Sequence, residues 1–342
     1  MSQLKDSGAS DAAPADVETM KTLHLWEHCR QRCPSGVAYG RVIADINGAN
    51  GRTVTDLTTK HGIHAASEVI LTGGSAGGMS VFLHADFIRA GLGLRSSAAF
   101  GAVPLSGFFL DRVNVYGEPV FQMQARGMYQ LANSSAGLPR NCVSERPLDV
   151  ASCIFPEHAY NSIDSPIFVV DSTLDAYQIP CILGRNGTAQ TWANSTCGSA
   201  ADYQNCTKIW GDRPLNAHCS RDQMYTLIEY QGSFMRKIST KRTFGKLNTG
   251  AFLYQCFTHV AANYPSWNQF ILEGVSMQQA VTKWWNGVRD GGNHEALVYT
   301  DRIWGLDGVA TNPTCTCTLA SAGRKVGWSR CWLRSGLRYW SQ

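Results

Sequence analysis

Glu68-Val69-Ile70-Leu71-Thr72-Gly73-Gly74-Ser75-Ala76-Gly77-Gly78-Met79 is the stretch that decides the fold. Residues 68–72 are a short apolar, β-rich run. After the glycines, Met79, Phe82, Leu83, Phe87 and Ala90 recur at helical spacing, and Gly91 suits the position just past a helix end. The pattern predicts a strand, a tight turn and a helix, with Ser75 on the turn. Side chains at Gly73 and Gly77 would collide across such a turn, so glycine is needed at both. A serine placed there meets unpaired backbone N–H groups and the positive end of a helix dipole, which favour developing negative charge. A Gly/Ser loop that only turns a corner would not need a strand on one side and a helix on the other.

A serine framed as G-x-S-x-G between strand and helix is the nucleophile-elbow pattern of α/β-hydrolases. In that arrangement the chain order is Ser, then Asp or Glu, then His. The later members lie beyond the C-terminal ends of buried strands, where open α/β sheets bind ligands. Pro166-Ile167-Phe168-Val169-Val170 reads as a buried parallel strand that opens into Asp171-Ser172-Thr173-Leu174-Asp175-Ala176-Tyr177-Gln178. Residues 250–256 read as a second strand, opening into Phe257-Thr258-His259-Val260. Of nine histidines, His259 stands where a base is needed. Asp171 and Asp175 both fit the acid by position.

Ser75 in G-x-S-A-G-G, Asp175 in D-x-Y-Q and His259 in C-x-T-H resemble the three catalytic motifs of the pectin acetylesterase/Notum family of carboxylesterases. Gly107-Phe108-Phe109-Leu110-Asp111, Cys142 with Cys153, Ala280-Val281-x-x-Trp284 and Asn312-Pro313-Thr314-Cys315 agree, so the resemblance covers roughly residues 55–320. It implies an α/β-hydrolase-like fold: a mostly parallel sheet with helices on both faces and disulfide-containing insertions. It implies Ser75, Asp175 and His259 as nucleophile, acid and base, with Asp175 preferred to Asp171 because family members carry the acid before x-[WY]-Q. The backbone N–H of Ala76, helped by Gly74 or Gly77, is the implied oxyanion hole. Cys142 and Cys153, in one insertion, are the implied disulfide. The implied reaction is hydrolysis of an O-acyl ester, O-acetyl first, on a polysaccharide or protein, with no metal or organic cofactor.

The family's glycine-rich G-G-G-W-C run, which supplies oxyanion donors, has no counterpart before Val69. That departure leads to the expectation of a chain N-terminally incomplete relative to the family, or of a catalytically weak or silent binding protein on the same fold. Residues 1–20, polar and rich in Ala, Asp and Ser, read as a disordered tail, and 21–342 as one domain. A sugar-stacking protein using Trp284 and Trp285, or a serine peptidase, are less favoured readings.

The chain has 342 residues, 44% of them hydrophobic, which suits one large domain with a substantial core. Its net charge of +4 has no dense basic block; Arg236-Lys237 with Lys241-Arg242 reads as a solvated face, so nucleic acid is not an expected partner. No apolar run approaches the roughly 18 residues of a membrane span, and a monomer is expected. Twelve cysteines point to an oxidising compartment, and their spacing lacks a C-x-x-C pair, so a metal site is not expected. Asn133, Asn186, Asn194 and Asn205 all satisfy N-x-[ST] and read as glycosylation acceptors. The expected location is secreted or within the secretory pathway, although Met1 opens no recognisable signal peptide. Residues 291–342 carry no clear fold signal.

Overall fold

The computed structural model describes residues 54–55, 57–131, 134–184, 219–239, 247–263, 266–291 and 294–301. The polar tail, the four sequon asparagines, the Asn312–Cys315 motif and Cys29, Cys33, Cys197, Cys206, Cys315, Cys317 and Cys331 lie outside them.

Strand β1 (Glu68–Gly74) leads through Ser75 into helix α1 (Ala76–Gly91), and β2 (Ala99–Leu105) follows. Helix α2 (Val120–Leu131) opens an insertion that ends at β3 (Ile167–Ser172). Helix α3 (Arg221–Ile238), β4 (Thr249–Tyr254), the small hairpin β5 (Ile271–Leu272) and β6 (Val275–Ser276), helix α4 (Met277–Arg289) and β7 (Leu297–Thr300) complete the order. The main sheet runs β1-β2-β3-β4-β7 with every neighbouring pair parallel. All its strands therefore end at the same edge.

Strands β3 and β4 are buried at every residue, as expected for strands covered on both faces. Period-two alternation sorts their side chains between two cores. Ile167, Val169, Ala251 and Leu253 pack with Val81, Phe82, Leu227 and Phe234 of α1 and α3. Phe168, Val170, Phe252 and Tyr254 pack on the other face with Met277, Val281, Trp284 and Trp285 of α4. The two tryptophans are thus core residues, each 3% exposed, and not sugar platforms. Their indole N–H groups donate to Asn248 O at 3.0 Å and to Glu68 Oε2 at 3.1 Å.

Helices α3 and α4 both start with a capping box. Ser220 Oγ accepts from Gln223 N while Gln223 Oε1 accepts from Ser220 N, and Ser276 with Gln279 repeats the arrangement. Met224, Leu227 and Phe234, spaced three and seven residues apart on α3, are buried, with Ile228 half-buried. Two expectations are corrected. Gly91 is the last residue of α1, where a Cβ would lie 2.9 Å from Val54 Cγ1, and the left-handed residue beyond the helix is Gly93 (φ 58°). Residues 297–300 form a sheet strand although no fold signal marks them, because only Tyr299 of the four is buried and no alternation of apolar and polar residues shows.

The insertion packs its own small core, with Leu83 of α1 against Ala125, Leu138, Ile154 and Phe155. Cys142 and Cys153, both fully buried there, are bonded to each other with Cα atoms 5.9 Å apart. Cys181, Cys219 and Cys256 are also in disulfides. No described helix is long and apolar enough to cross a membrane.

Closing the Cys142–Cys153 loop restricts the unfolded chain by about 2–3 kcal/mol. The double variant Cys142→Ala/Cys153→Ala is expected to lose that much in urea unfolding, and an unchanged midpoint would contradict the account. His84 of α1 is buried, its Nε2 has no hydrogen-bond partner among the described residues, and burial lowers its pKa from 6.5 to about 4. The folded state then refuses a proton that the unfolded chain accepts, so this contribution is full above pH 6.5 and is lost as pH falls toward 4. The loss is on the order of 3 kcal/mol. His84→Leu is expected to flatten the dependence of unfolding free energy on pH in that window; an unaltered slope would assign it elsewhere.

Candidate active site

Ser75 takes φ 58° and ψ −122°, a sparsely populated conformation for a residue with a side chain, which costs on the order of 1–3 kcal/mol. Its neighbours hold it there. Ser75 N donates to Leu105 O at 2.9 Å, prolonging the β1–β2 ladder by one residue, and Ser75 O accepts from Met79 N at 2.9 Å as α1 begins. A Cβ on Gly73 would lie 2.5 Å from Gly77 O, so the turn is as tight as its glycines suggest. A Cβ on Gly78 would lie 2.7 Å from Leu105 O and 3.0 Å from Gly107 Cα, so the first turn of α1 sits directly on the end of β2. Ala76 is the first residue of α1, and its N–H belongs to the first turn, which has no acceptor within the helix. Gly74 lies in β1; because Ser75 turns its amide to β2, strand alternation turns the Gly74 amide to the outer edge.

Asp175 follows β3 and is fully buried. Its Oδ1 accepts from Tyr177 N at 2.9 Å and Gln178 N at 2.8 Å, and its Oδ2 bonds His259 Nδ1 at 2.8 Å. A carboxylate accepts, so Nδ1 carries the ring proton and Nε2 is left as an acceptor. That Nε2 is buried and has no hydrogen-bond partner among the described residues. Tyr177 stacks on the imidazole with centroids 5.4 Å apart, and Phe109 lies 6.5 Å away on a tilted plane. Ala176 N donates to Thr258 O at 3.2 Å, tying the acid loop to the histidine loop.

Asp171, the other acid allowed by position, does not reach His259 in the same way. It lies within β3, fully buried, and its oxygens accept from Phe108 N and Ser172 N at 2.9 and 2.8 Å. Burial lifts its carboxyl well above the ordinary carboxylate range and the Asp175 charge adds to this, while N–H groups of Phe108, Ser172 and Gly107 pull the other way. Asp171 therefore serves the backbone of the loop after β2. Gln178 grips the same loop: its Nε2 donates to Phe108 O and its Oε1 accepts from Leu110 N, both at 3.1 Å. Glu157 takes the next amide, Asp111 N, at 3.1 Å. Side chains thus supply the hydrogen bonds that a neighbouring strand would, and Phe109 is presented to the imidazole.

Ser75, Asp175 and His259 all leave the C-terminal edge of one sheet, from β1, β3 and β4. Residue-level reading missed the roles of Ser106, whose Oγ accepts from Val260 N at 3.0 Å, and of Gln178, Tyr177 and Phe109. A glutamine directly before the apolar Ile179-Pro180-Cys181-Ile182-Leu183 was the available sign for Gln178.

The sequence profile of the family described as Pectinacetylesterase matches residues 50–306. Pectin acetylesterase 7 of Arabidopsis thaliana is 24% identical over 296 residues, covering 83% of this chain and 70% of that protein. Pectin acetylesterase 11 of the same plant is 23% identical over 293 residues, covering 82% and 70%. A solved structure of the Wnt deacylase Notum from Drosophila superposes with a TM-score of 0.55 at 19% identity, covering 76% of this chain; the chain spans 64% of that structure's length. The family profile spans the nucleophile elbow, both later loops and every strand of the main sheet: the chain belongs to the pectinacetylesterase family.

Proposed function

We propose that this protein is a serine carboxylesterase that hydrolyses an O-acyl ester, O-acetyl in the first instance, on a polysaccharide or an acylated protein. The observation that carries the reading is the 2.8 Å bond from His259 Nδ1 to the buried Asp175, which leaves Nε2 as an acceptor with no partner among the described residues, at the sheet edge where Ser75 turns. Family membership supports the reaction class, and the names of the relatives, pectin acetylesterases and a Wnt deacylase, support removal of acyl groups from large substrates. The disulfides support action in an oxidising, secretory setting.

In this mechanism Ser75 Oγ attacks the ester carbonyl carbon as His259 Nε2 takes its proton. Asp175 keeps the imidazole in the accepting tautomer and stabilises the imidazolium. The carbonyl oxygen becomes the oxyanion, facing Ala76 N–H at the start of α1, where the helix dipole adds to the donor. Collapse releases the alcohol oxygen of the substrate, which leaves with the proton from Nε2. Water then attacks the acyl-Ser75 carbonyl, giving a proton to His259, and the carboxylic acid departs as Ser75 recovers its hydrogen. Tyr177 and Phe109 wall the imidazole with apolar surface, which strengthens the attraction between Asp175 and the imidazolium as it forms.

Ser75→Ala is expected to abolish hydrolysis of p-nitrophenyl acetate and labelling by a fluorophosphonate, with an unchanged Tm. Asp175→Asn is expected to cost about four orders of magnitude in kcat by favouring the wrong tautomer. Asp171→Asn puts an NH2 against a backbone N–H and is expected to lower stability by about 1–3 kcal/mol with a far smaller loss of kcat. Parental hydrolysis by Ser75→Ala, or the reverse ranking of the two asparagine variants, would refute these assignments.

A further inference from the structure

We propose that Ser106 is a positioning residue for the base: its hydroxyl holds the backbone of Val260, and through it the imidazole of His259, in register with the nucleophile turn. This rests on the esterase reading above. Ser106 follows the last residue of β2, is 1% exposed and takes a left-handed φ of 47°. Its own N–H donates to Val170 O at 2.8 Å, which fixes it to the end of β3. Its Oγ accepts from Val260 N at 3.0 Å.

Val260 needs such a hold. It takes φ 52°, a conformation in which a β-branched residue is an outlier. It also carries a buried amide that would otherwise lose its acceptor. The two left-handed residues are joined by one hydrogen bond, and each is adjacent to a group that matters to the reaction. On one side, Leu105 O, one residue before Ser106, accepts from Ser75 N at 2.9 Å. On the other, His259 immediately precedes Val260. The path from nucleophile to base is therefore Ser75 N to Leu105 O, one residue of chain, Ser106 Oγ to Val260 N, and one residue of chain. Asp175 bonds the ring at Nδ1, Tyr177 stacks on its face and Ala176 N holds the chain just before it at Thr258 O, but none of these holds the chain just after it. The Ser106 bond fixes the main chain from which the ring projects, and so directs Nε2. Ser106 touches neither substrate nor reacting atoms in this account; it acts through His259.

The test is Ser106→Gly. Glycine accepts the left-handed φ without strain, so the substitution removes the hydroxyl and leaves the turn at ease, which alanine would not. With Val260 released, the imidazole swings and its bond to Asp175 lengthens. The expected result is a kcat lower by about 10–100-fold with KM within about twofold of the parent, as for misplacement of a reacting group by about 1 Å. The acid limb of kcat/KM is expected to move to lower pH, because the imidazolium loses part of its stabilisation by Asp175. A second readout does not depend on turnover. The far-downfield proton resonance of a carboxylate-bonded Nδ1–H, assigned through its loss in His259→Gln, is expected in the parent and absent in Ser106→Gly. Loss of that resonance supports the proposal even in a protein that hydrolyses no ester, a result that would defeat only the esterase reading. Its retention in Ser106→Gly, or its absence from the parent, overturns the proposal whatever the rate does.

Discussion

A fully buried carboxylate is costly unless its lone pairs are taken up, and Asp175 is fully buried. Three N–H groups converge on it: two from the following turn, at Tyr177 and Gln178, and one from the imidazole of His259. That requirement shapes the rest. The turn must close tightly for both amides to reach Oδ1. Strands β3 and β4 must be in register for the histidine loop to meet Oδ2, which their pairing from Ile167–Thr249 to Ser172–Tyr254 provides. The sheet must be covered on both faces, or the carboxylate would be wet and its hold on the imidazole weak. Helices α1 and α3 on one side and α4 on the other supply that cover.

The insertion between β2 and β3 contributes to the same edge. Phe109 contacts Tyr177 and Phe121 at 5.6 and 6.1 Å between centroids, and Phe121 contacts Phe155 at 5.8 Å, so an aromatic chain runs from the imidazole wall into the disulfide-closed core. Asp111 anchors this region, bonded to Gln122 Nε2 at 2.6 Å and His158 Nε2 at 2.9 Å. Burial opposes its ionisation, but the hydrogen bonds from His158 and Gln122 and the charges of His158 and Arg126 outweigh it and hold the carboxyl below its ordinary value. Glu157, which accepts from Asp111 N and forms an ion pair with Lys237 Nζ, links the insertion to α3. The wall beside His259 is therefore braced by charged hydrogen bonds as well as by apolar packing.

The strand, turn and helix around Ser75 were legible because three constraints coincide in a dozen residues: an apolar run, glycines where no Cβ fits, and helical spacing. Strands β3 and β4 were legible for a related reason, since burial on both faces demands a continuous apolar run. Asp171 and Asp175 were not separable from pattern alone, because each is a polar residue at the end of the same apolar run. The resemblance favours Asp175 through its D-x-Y-Q setting, and the geometry shows which carboxylate bonds the imidazole and which bonds a loop backbone. Ser106 and Val260 were illegible for a deeper reason. Their roles lie in a left-handed φ and one hydrogen bond across 154 residues of sequence, and neither leaves a mark in residue type or spacing. Strand β7 escaped because its four residues hold only two repeats of a two-residue period, and just one of them, Tyr299, is buried.

The central claim is that Ser75 carries the acyl group between two half-reactions. Trapping the intermediate tests it most directly: the protein is mixed with an activated acetyl ester, quenched in acid within the pre-steady state and mapped by peptide mass spectrometry. The account predicts an acetyl increment on the peptide holding Ser75, localised to that serine and discharged on longer incubation in water. Ester consumption with no increment on Ser75, or with the increment on another residue, would contradict it.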